Sequence, residues 1–171
     1  MSCVDAMSWG INYYDTAREY TTSEERIGKA LEGLRKRVIL ASKTHAQTKE
    51  EDLEEIDTNL NNFRTDYIDI YQLNRVSSIE WKMISTSGGV LESLFEAKDK
   101  KKIRHIGVTS HSIEFLQKIV DEDVIETIMV PLNYLTPKHS FNLLPLCNRM
   151  NVGTVIMKPF ALGSLKNAST V

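Results

Sequence analysis

The sequence predicts an α/β fold of the (β/α) barrel type. Strand-like runs alternate with amphipathic helical segments from one end of the chain to the other, which indicates βαβ units and a parallel sheet. Polar side chains stand directly after several of these runs, where a (β/α) barrel carries its active site. No linker or low-complexity segment interrupts the pattern, so we expect residues 1–171 to form a single domain.

Six runs rich in branched and aromatic residues predict the strands. They are Ile11–Tyr14, Val38–Ala41, Tyr67–Gln72, His105–Val108, Thr127–Pro131 and Gly153–Met157. Apolar stripes at helical spacing predict five helices between or after them. Thr22 with Glu25, and Thr48 with Glu51, have the spacing of capping boxes at the starts of the first two helices.

Two segments lack the apolar periodicity of a strand or a helix. Ser77–Gly89 is predicted to be a long loop, in which Trp81 either packs the loop or lines a substrate pocket. The basic run Lys98–Arg104 is predicted to be the solvated end of a helix, where cations suit the helix dipole.

Composition excludes several classes of function. A formal net charge of -2 argues against a general nucleic-acid-binding surface. Cys3 and Cys147 lie far apart and form neither a disulfide framework nor a metal-binding motif, so no metal site is predicted. The first ten residues lack the features of a signal peptide, and no apolar run approaches the roughly 18 residues of a membrane span. We therefore expect a cytoplasmic protein.

The segment GINYYDTAREY carries the chemistry. Asp15 stands where the strand ends, and Tyr20 follows after a turn. A tyrosine alone is a poor acid near neutral pH, but a neighbouring cation stabilises its phenolate. Lys43, after the next strand, is the candidate cation, and Asp15 would keep it charged and oriented. Singly, the three could be a turn cap, an interface aromatic and a solvated lysine; together, at successive strand ends, they favour proton chemistry.

These motifs, together with SEERIGKAL, VILASKT and DYIDIYQL, closely resemble the aldo-keto reductase family over nearly the whole chain. The resemblance implies an oxidoreductase that uses NADPH, or alternatively NADH, to reduce a small aldehyde or ketone. The family's active-site Asp, Tyr and Lys match Asp15, Tyr20 and Lys43, with Tyr20 as the general acid. The fourth member is usually His, and this chain has Asn74 there, in YQLNRV.

Asn74 leaves the functional interpretation open. Its amide can donate a hydrogen bond to a carbonyl oxygen but cannot supply a proton. The potassium-channel β-subunit branch of the family also carries Asn here, and its members are slow reductases that bind and sense the cofactor. The alternatives are an active reductase, a weak or inactive nucleotide-binding or regulatory module, and a piece of a longer reductase. Asn74 could also simply end a strand.

The resemblance also implies cofactor contacts. GVTS resembles the family's GVSN, whose polar pair holds the nicotinamide carboxamide, and MKPFALGSL resembles a loop that approaches the pyrophosphate. Met157 stands where many members stack a Tyr on the nicotinamide. The candidate cofactor residues are Thr109, Ser110, Asn133, Met157, Lys158, Pro159 and Gly163. Ser110 or Ser112 could instead simply cap the next helix. The family's 2′-phosphate-binding cluster lies beyond the last predicted strand, so the sequence does not choose between NADP and NAD.

The strand count predicts an incomplete barrel. The family's barrel has eight strands, and its pattern places the start of this sequence inside the first helix and its end after the seventh strand. About six of eight βα units are then present, without the first and last strands. Such a sheet has two open edges, which we expect to be distorted or covered by a partner, for example in a homo-oligomer.

Overall fold

Six parallel strands form one sheet that curls into a half-barrel, as the sequence predicts. The computed structural model describes residues 3–164. The strands are β1 (Tyr13–Asp15), β2 (Ile39–Thr44), β3 (Ile68–Leu73), β4 (Ile103–Thr109), β5 (Thr127–Pro131) and β6 (Gly153–Met157). Each strand pairs with the next one along the chain, so all six carboxyl ends meet at one edge of the half-barrel.

Helices follow the strands and enclose the core. They are α1 (Cys3–Ser8), α2 (Ser23–Ala30), α3 (Lys49–Phe63), α4 (Ser78–Ile84), α5 (Val90–Asp99), α6 (Ile113–Val120) and α7 (Leu143–Arg149), with short 3-10 turns at Arg35–Arg37 and Lys138–Asn142. Their apolar stripes supply the helical half of the core, of which Ile56, Leu94, Leu116 and Leu143 are fully buried. Burying each such side chain stabilises the fold by roughly 1.5–3 kcal/mol.

The predicted strands are confirmed, with shifts in some boundaries. β5 and β6 have the predicted bounds. β1 starts two residues late because Gly10, at φ +84°, makes a turn in which the Ile11 amide donates to the Ala6 carbonyl. β2 runs on to Thr44, past the predicted end at Ala41, because its polar last residues are buried and not solvated.

Two predicted capping boxes are corrected. Thr22 precedes α2, but its side chain caps nothing, since its backbone (φ -95°, ψ 14°) is not extended. Thr48 does cap α3 by accepting from the Glu51 amide, yet the Glu51 carboxylate accepts from the Gln47 amide and not from that of Thr48. Each helix therefore lacks the reciprocal pair of bonds that defines the box.

The segment predicted as a long loop contains a helix. A complete capping box, Ser77 with Glu80, begins α4. Trp81 is buried from this helix, its ring edge-to-face with Phe115 at 6.0 Å between centroids and its indole N–H donated to Glu122. Trp81 therefore fastens α4 to α6 and does not line the candidate site.

The basic run is more than a solvated helix end. Lys98 pairs with Glu126, and Arg104 pairs with Asp69 at 2.9 Å. The guanidinium groups of Arg104 and Arg35 lie 3.8 and 4.0 Å from the centre of the Tyr67 ring. These pairs tie the amino-terminal ends of neighbouring strands together, at the end of the sheet opposite to the candidate site.

Among the residues described, β1 and β6 are each paired on one side only. Ile39 and Ile156, on strands at or next to these edges, are 40% exposed. No helix within residues 3–164 is long and apolar enough to cross a bilayer.

Candidate active site

The four predicted catalytic side chains line one cavity of about 270 Å³ at the carboxyl ends of the strands. Its lining consists of Asp15, Tyr20, Lys43, Asn74, Arg75, Thr109, His111, Met129, Met157 and Lys158. Residues far apart in sequence meet here because parallel pairing aligns the strand ends. The predicted cofactor residues Thr109, Met157 and Lys158 lie in the same cavity.

Lys43 is a buried cation held by fixed acceptors. It is only 4% exposed, and its Nζ donates to Asp15 Oδ2 and, at 2.7 Å, to the Thr16 carbonyl. Asp15 Oδ1 accepts from Gln72 Nε2 at 3.1 Å. Because β1 and β2 pair side by side, the carboxylate that ends one strand meets the ammonium of the next, and this pairing offsets the cost of burying the charge.

Tyr20 lies on the turn between β1 and α2. Lys43 Nζ is 5.8 Å from the centre of its ring, and the side chain is 44% exposed. The turn is closed by two backbone bonds, from the Tyr20 amide to Ala17 and from the Ser23 amide to Tyr20. The phenol ring therefore stands over the lysine charge at the open side of the cavity.

A buried carboxylate, Glu24, supports this turn. One of its oxygens accepts from Ser42 at 2.8 Å, beside Lys43, and the other from Arg18 at 3.3 Å, near Tyr20. Asn62 also donates to it, from α3. No sequence pattern indicates this role, since an acidic residue in the first turn of a helix is expected for the dipole alone.

Asn74 does more than end a strand. Its Oδ1 accepts from the Thr109 hydroxyl at 2.9 Å, while the same hydroxyl oxygen accepts from the Arg75 amide. Its Nδ2 lies 2.8 Å from His45 Nε2 and 3.4 Å from Glu19 Oε1. Arg75, His45 and Glu19 were missed from the sequence because their contacts with Asn74 and with each other join the ends of different strands, which no local pattern shows.

Ser110, a predicted cofactor residue, lines neither this cavity nor the next one. Its buried hydroxyl donates to the Val76 carbonyl and accepts from the Ser112 amide, so it faces away from the cavity. Thr109 and Ser110 are consecutive at the end of β4, and consecutive strand side chains point to opposite faces. The alternative that Ser110 or Ser112 caps the next helix is confirmed for Ser112, whose hydroxyl accepts from the Phe115 amide at the start of α6.

A second cavity, of about 440 Å³, adjoins the first. Asn133 lines it, with Nδ2 donating to the Lys158 carbonyl and Oδ1 accepting from the Leu135 amide. His111 and Lys158 line both cavities and lie 3.1 Å apart, Nε2 to Nζ. Burial, then the charges of Lys158 and Arg75, lower the pKa of His111, which favours a neutral imidazole that accepts from Lys158.

The loop after β6 turns sharply beside this second cavity. Gly163 has φ +93°, and Lys158, Ala161 and Leu162 also have positive φ. Pro159 is exposed and lines neither cavity, and Gly163 contributes its backbone turn and no lining. Among residues 3–164 no group of three His, Cys, Asp or Glu side chains is placed to hold a metal ion.

The chain is similar in sequence to known oxidoreductases. Over 96% of its length the chain is 31% identical to aldo-keto reductase YhdN of Bacillus subtilis, and over 94% it is 27% identical to L-galactose dehydrogenase of Arabidopsis thaliana. It spans about half of these relatives, 53% and 54% of their lengths.

Solved structures agree. The holo form of aldo-keto reductase AKR11C1 from Bacillus halodurans superposes with a TM-score of 0.80 at 27% identity, covering 94% of this chain and 56% of that one. An aldo/keto reductase from Klebsiella pneumoniae in complex with NADP and acetate superposes with a TM-score of 0.78 at 27% identity, covering 95% and 58%. A family model for the aldo/keto reductases matches residues 3–170, and the chain therefore belongs to the aldo/keto reductase family.

Proposed function

We propose that this site reduces an aldehyde or ketone to an alcohol, with NADPH as the reductant and Tyr20 as the general acid. The observation that carries the proposal is the Asp15–Lys43 pair at the strand ends, in which Lys43 is buried, with the Tyr20 ring over the ammonium and Asn74 on the same cavity. A buried lysine held by a carboxylate beside a tyrosine is an arrangement suited to proton donation.

Each residue has a distinct part. Tyr20 gives its proton to the oxygen of the substrate carbonyl as negative charge develops there, and Lys43 stabilises the resulting phenolate. Asp15 and the Thr16 carbonyl hold the ammonium in place, so no reorganisation is needed when the charge appears. The Asn74 NH₂ group is oriented by the bond from Thr109 to Oδ1. One of its hydrogens faces His45, and the other, whose contact with Glu19 is long at 3.4 Å, donates to the carbonyl oxygen when substrate binds.

The chain's residues fit a nicotinamide cofactor in part. Lys158, with the turning loop after β6 and Asn133, lines a cavity whose cation suits a diphosphate, and these residues would hold the cofactor. Ser110 would not contribute, because its hydroxyl is engaged elsewhere. When bound, the cofactor supplies the hydride. Similarity to an aldo-keto reductase of Klebsiella pneumoniae in complex with NADPH supports the choice of NADPH.

The test of catalysis is Tyr20→Phe. Loss of the general acid should lower kcat for a simple aldehyde by a factor of about 100 to 10,000, with cofactor binding unchanged. Tyr67→Phe is the matched control, because Tyr67 lies at the opposite end of the sheet between two arginines. A Tyr20→Phe protein that reduces aldehyde as fast as the unmodified chain would disprove the role of Tyr20.

The test of cofactor binding is a fluorescence titration of the purified chain with NADPH and then with NADH. We expect saturable binding that Lys158→Gln weakens, with Lys118→Gln as the control on α6. The second candidate function is a weak or regulatory nucleotide-binding module. It is favoured by Asn74, which stands where the family usually has a titratable histidine and whose amide is engaged by Thr109 and His45. Saturable binding with no turnover of any small aldehyde would select that second function.

A further inference from the structure

We infer that His45 is a positioning residue for Asn74, and that it brings a titratable imidazole to the carbonyl-binding end of the site from the neighbouring strand. This inference rests on the proposed function. It starts from one contact: His45 follows β2, Asn74 follows β3, and His45 Nε2 lies 2.8 Å from Asn74 Nδ2. The Asn74 side chain cannot gain or lose a proton, but the imidazole of His45, its neighbour across the sheet, can.

The orientation of the Asn74 amide follows from its other partners. Thr109 Oγ1 accepts from the Arg75 amide at 2.7 Å, so its own proton is donated to Asn74, at 2.9 Å. The atom that receives it must be the amide oxygen. The NH₂ group is thereby turned toward His45 and Glu19, and the contact with His45 is a hydrogen bond only if the imidazole accepts.

Whether the imidazole accepts depends on its charge. Neutral His45 with its proton on Nδ1 offers Nε2 as an acceptor to Asn74. Protonated His45 carries a proton on Nε2, which then faces the NH₂ of Asn74 as a second donor. The Glu19 carboxylate, with Oε2 at 3.3 Å from the same nitrogen, is ready to take that proton in a salt bridge. When His45 is protonated, its Nε2 therefore loses the hydrogen bond from Asn74 and donates to Glu19 instead.

The charged groups around His45 come from three segments. Glu19 reaches it from the turn before α2, and Arg75, after β3, lies 4.0 Å from Glu19. From α4, Glu80 interacts with it electrostatically: hydrogen bonds from Ser77 chiefly lower the pKa of Glu80, and the charge of His45 lowers it slightly further. Glu19 and Glu80 therefore bring negative charge toward His45 from two different segments, and Arg75 brings a positive charge.

The direct test is NMR on the ¹⁵N-labelled chain. The side-chain amide signals of Asn74, identified by their loss in Asn74→Ala, should shift between about pH 5 and pH 8 with the same midpoint as the His45 ring protons. The shift should vanish in His45→Gln and persist in His139→Gln, a change at an exposed histidine on a 3-10 turn. Asn74 amide shifts that do not change with pH, or that still change in His45→Gln, would overturn the inference.

Kinetics test the consequence for the reaction. His45→Ala should lower kcat about fivefold with little change in KM, the effect of losing one positioning hydrogen bond. His45→Gln should restore kcat, because its amide oxygen can accept from Asn74, but the dependence of kcat on the imidazole should be gone. Unchanged kcat and pH profile in both variants would contradict the inference. If the unmodified chain reduces no carbonyl, the proposed function fails, and the NMR titration alone decides the contact.

Discussion

Asp52 is a carboxyl group buried inside the fold, and its burial makes stability depend on pH. It is fully buried on α3, where one oxygen accepts from Ser93 at 2.6 Å and the other has no hydrogen-bond partner among the described residues. Burial raises the pKa of Asp52 to about 6. The folded protein therefore binds this proton more tightly than the unfolded chain, where an aspartate titrates near about 3.9.

We expect the contribution of Asp52 to the free energy of unfolding to fall as pH rises from about 4 to about 6, and to level off above that. The total loss should be about 3 kcal/mol, from a shift of roughly two pKa units. Asp52→Asn should remove this slope and match or exceed the unmodified chain at neutral pH. Urea unfolding followed by circular dichroism at several pH values measures it, with the exposed Asp66→Asn as the control. Parallel pH curves for Asp52→Asn and the unmodified chain would contradict the assignment.

Single residues also show what the sequence could predict of the site. Asp15 and Lys43 were predictable because a parallel sheet brings the ends of successive strands together. The contact of the Ser110 hydroxyl with the Val76 carbonyl was not, because it joins segments that follow two different strands and leaves no local pattern. His45 was missed because its partner follows the next strand, and a contact across the sheet leaves no trace in local sequence.

At the scale of the element, the starts of α2 and α4 make a matched pair. Ser77 and Thr22 both precede a helix with Glu three residues later, but only the Ser77 side chain accepts a hydrogen bond. Ser77→Ala should lower the free energy of unfolding by about 1 kcal/mol, and Thr22→Ala by much less. Thermal or urea unfolding measures both. Equal losses in the two variants would mean that the cap geometry does not decide their contribution.

This pair explains why the elements were only partly predictable. The spacing of Ser or Thr with Glu is shared by both sites, so spacing alone cannot separate them. The backbone at Ser77 is extended (φ -101°, ψ 168°), which aims the hydroxyl at the helix, whereas that at Thr22 is not. The turn that carries Tyr20 sets the backbone before α2, and that constraint comes from contacts distant in sequence.

At the scale of the whole molecule, the pairing of β6 on one side only, among residues 3–164, has a physical consequence. Charged side chains and proline usually prevent edge strands from pairing with another chain. β6 (Gly153–Met157) has neither. We propose that the 171-residue chain self-associates through this edge. Sedimentation velocity should show concentration-dependent association that Ile156→Lys weakens, while Ile79→Lys, on exposed α4, leaves it unchanged. Monomers at all concentrations would contradict the proposal.

The architecture itself was predictable because its signal is distributed. Six strand-like runs and the helices between them repeat one pattern, and an error at one boundary does not change the topology. The α4 helix was the exception: it is short, and its buried face has only two positions, Trp81 and Ile84. A stripe of two residues is too brief to reveal a period of 3.6.

The pairing of each strand with its successor also sets an order in time. β1 and β2 leave the ribosome before β3 to β6, and Asp15, Tyr20 and Lys43 lie on these two strands and on the turn that follows β1. Short sequence separations close at little entropic cost and favour rapid folding. The residues proposed to donate the proton can thus come together while the segments that carry Asn133 and Lys158 are still being synthesised, so the proposed acid forms before the cavity proposed to hold the cofactor.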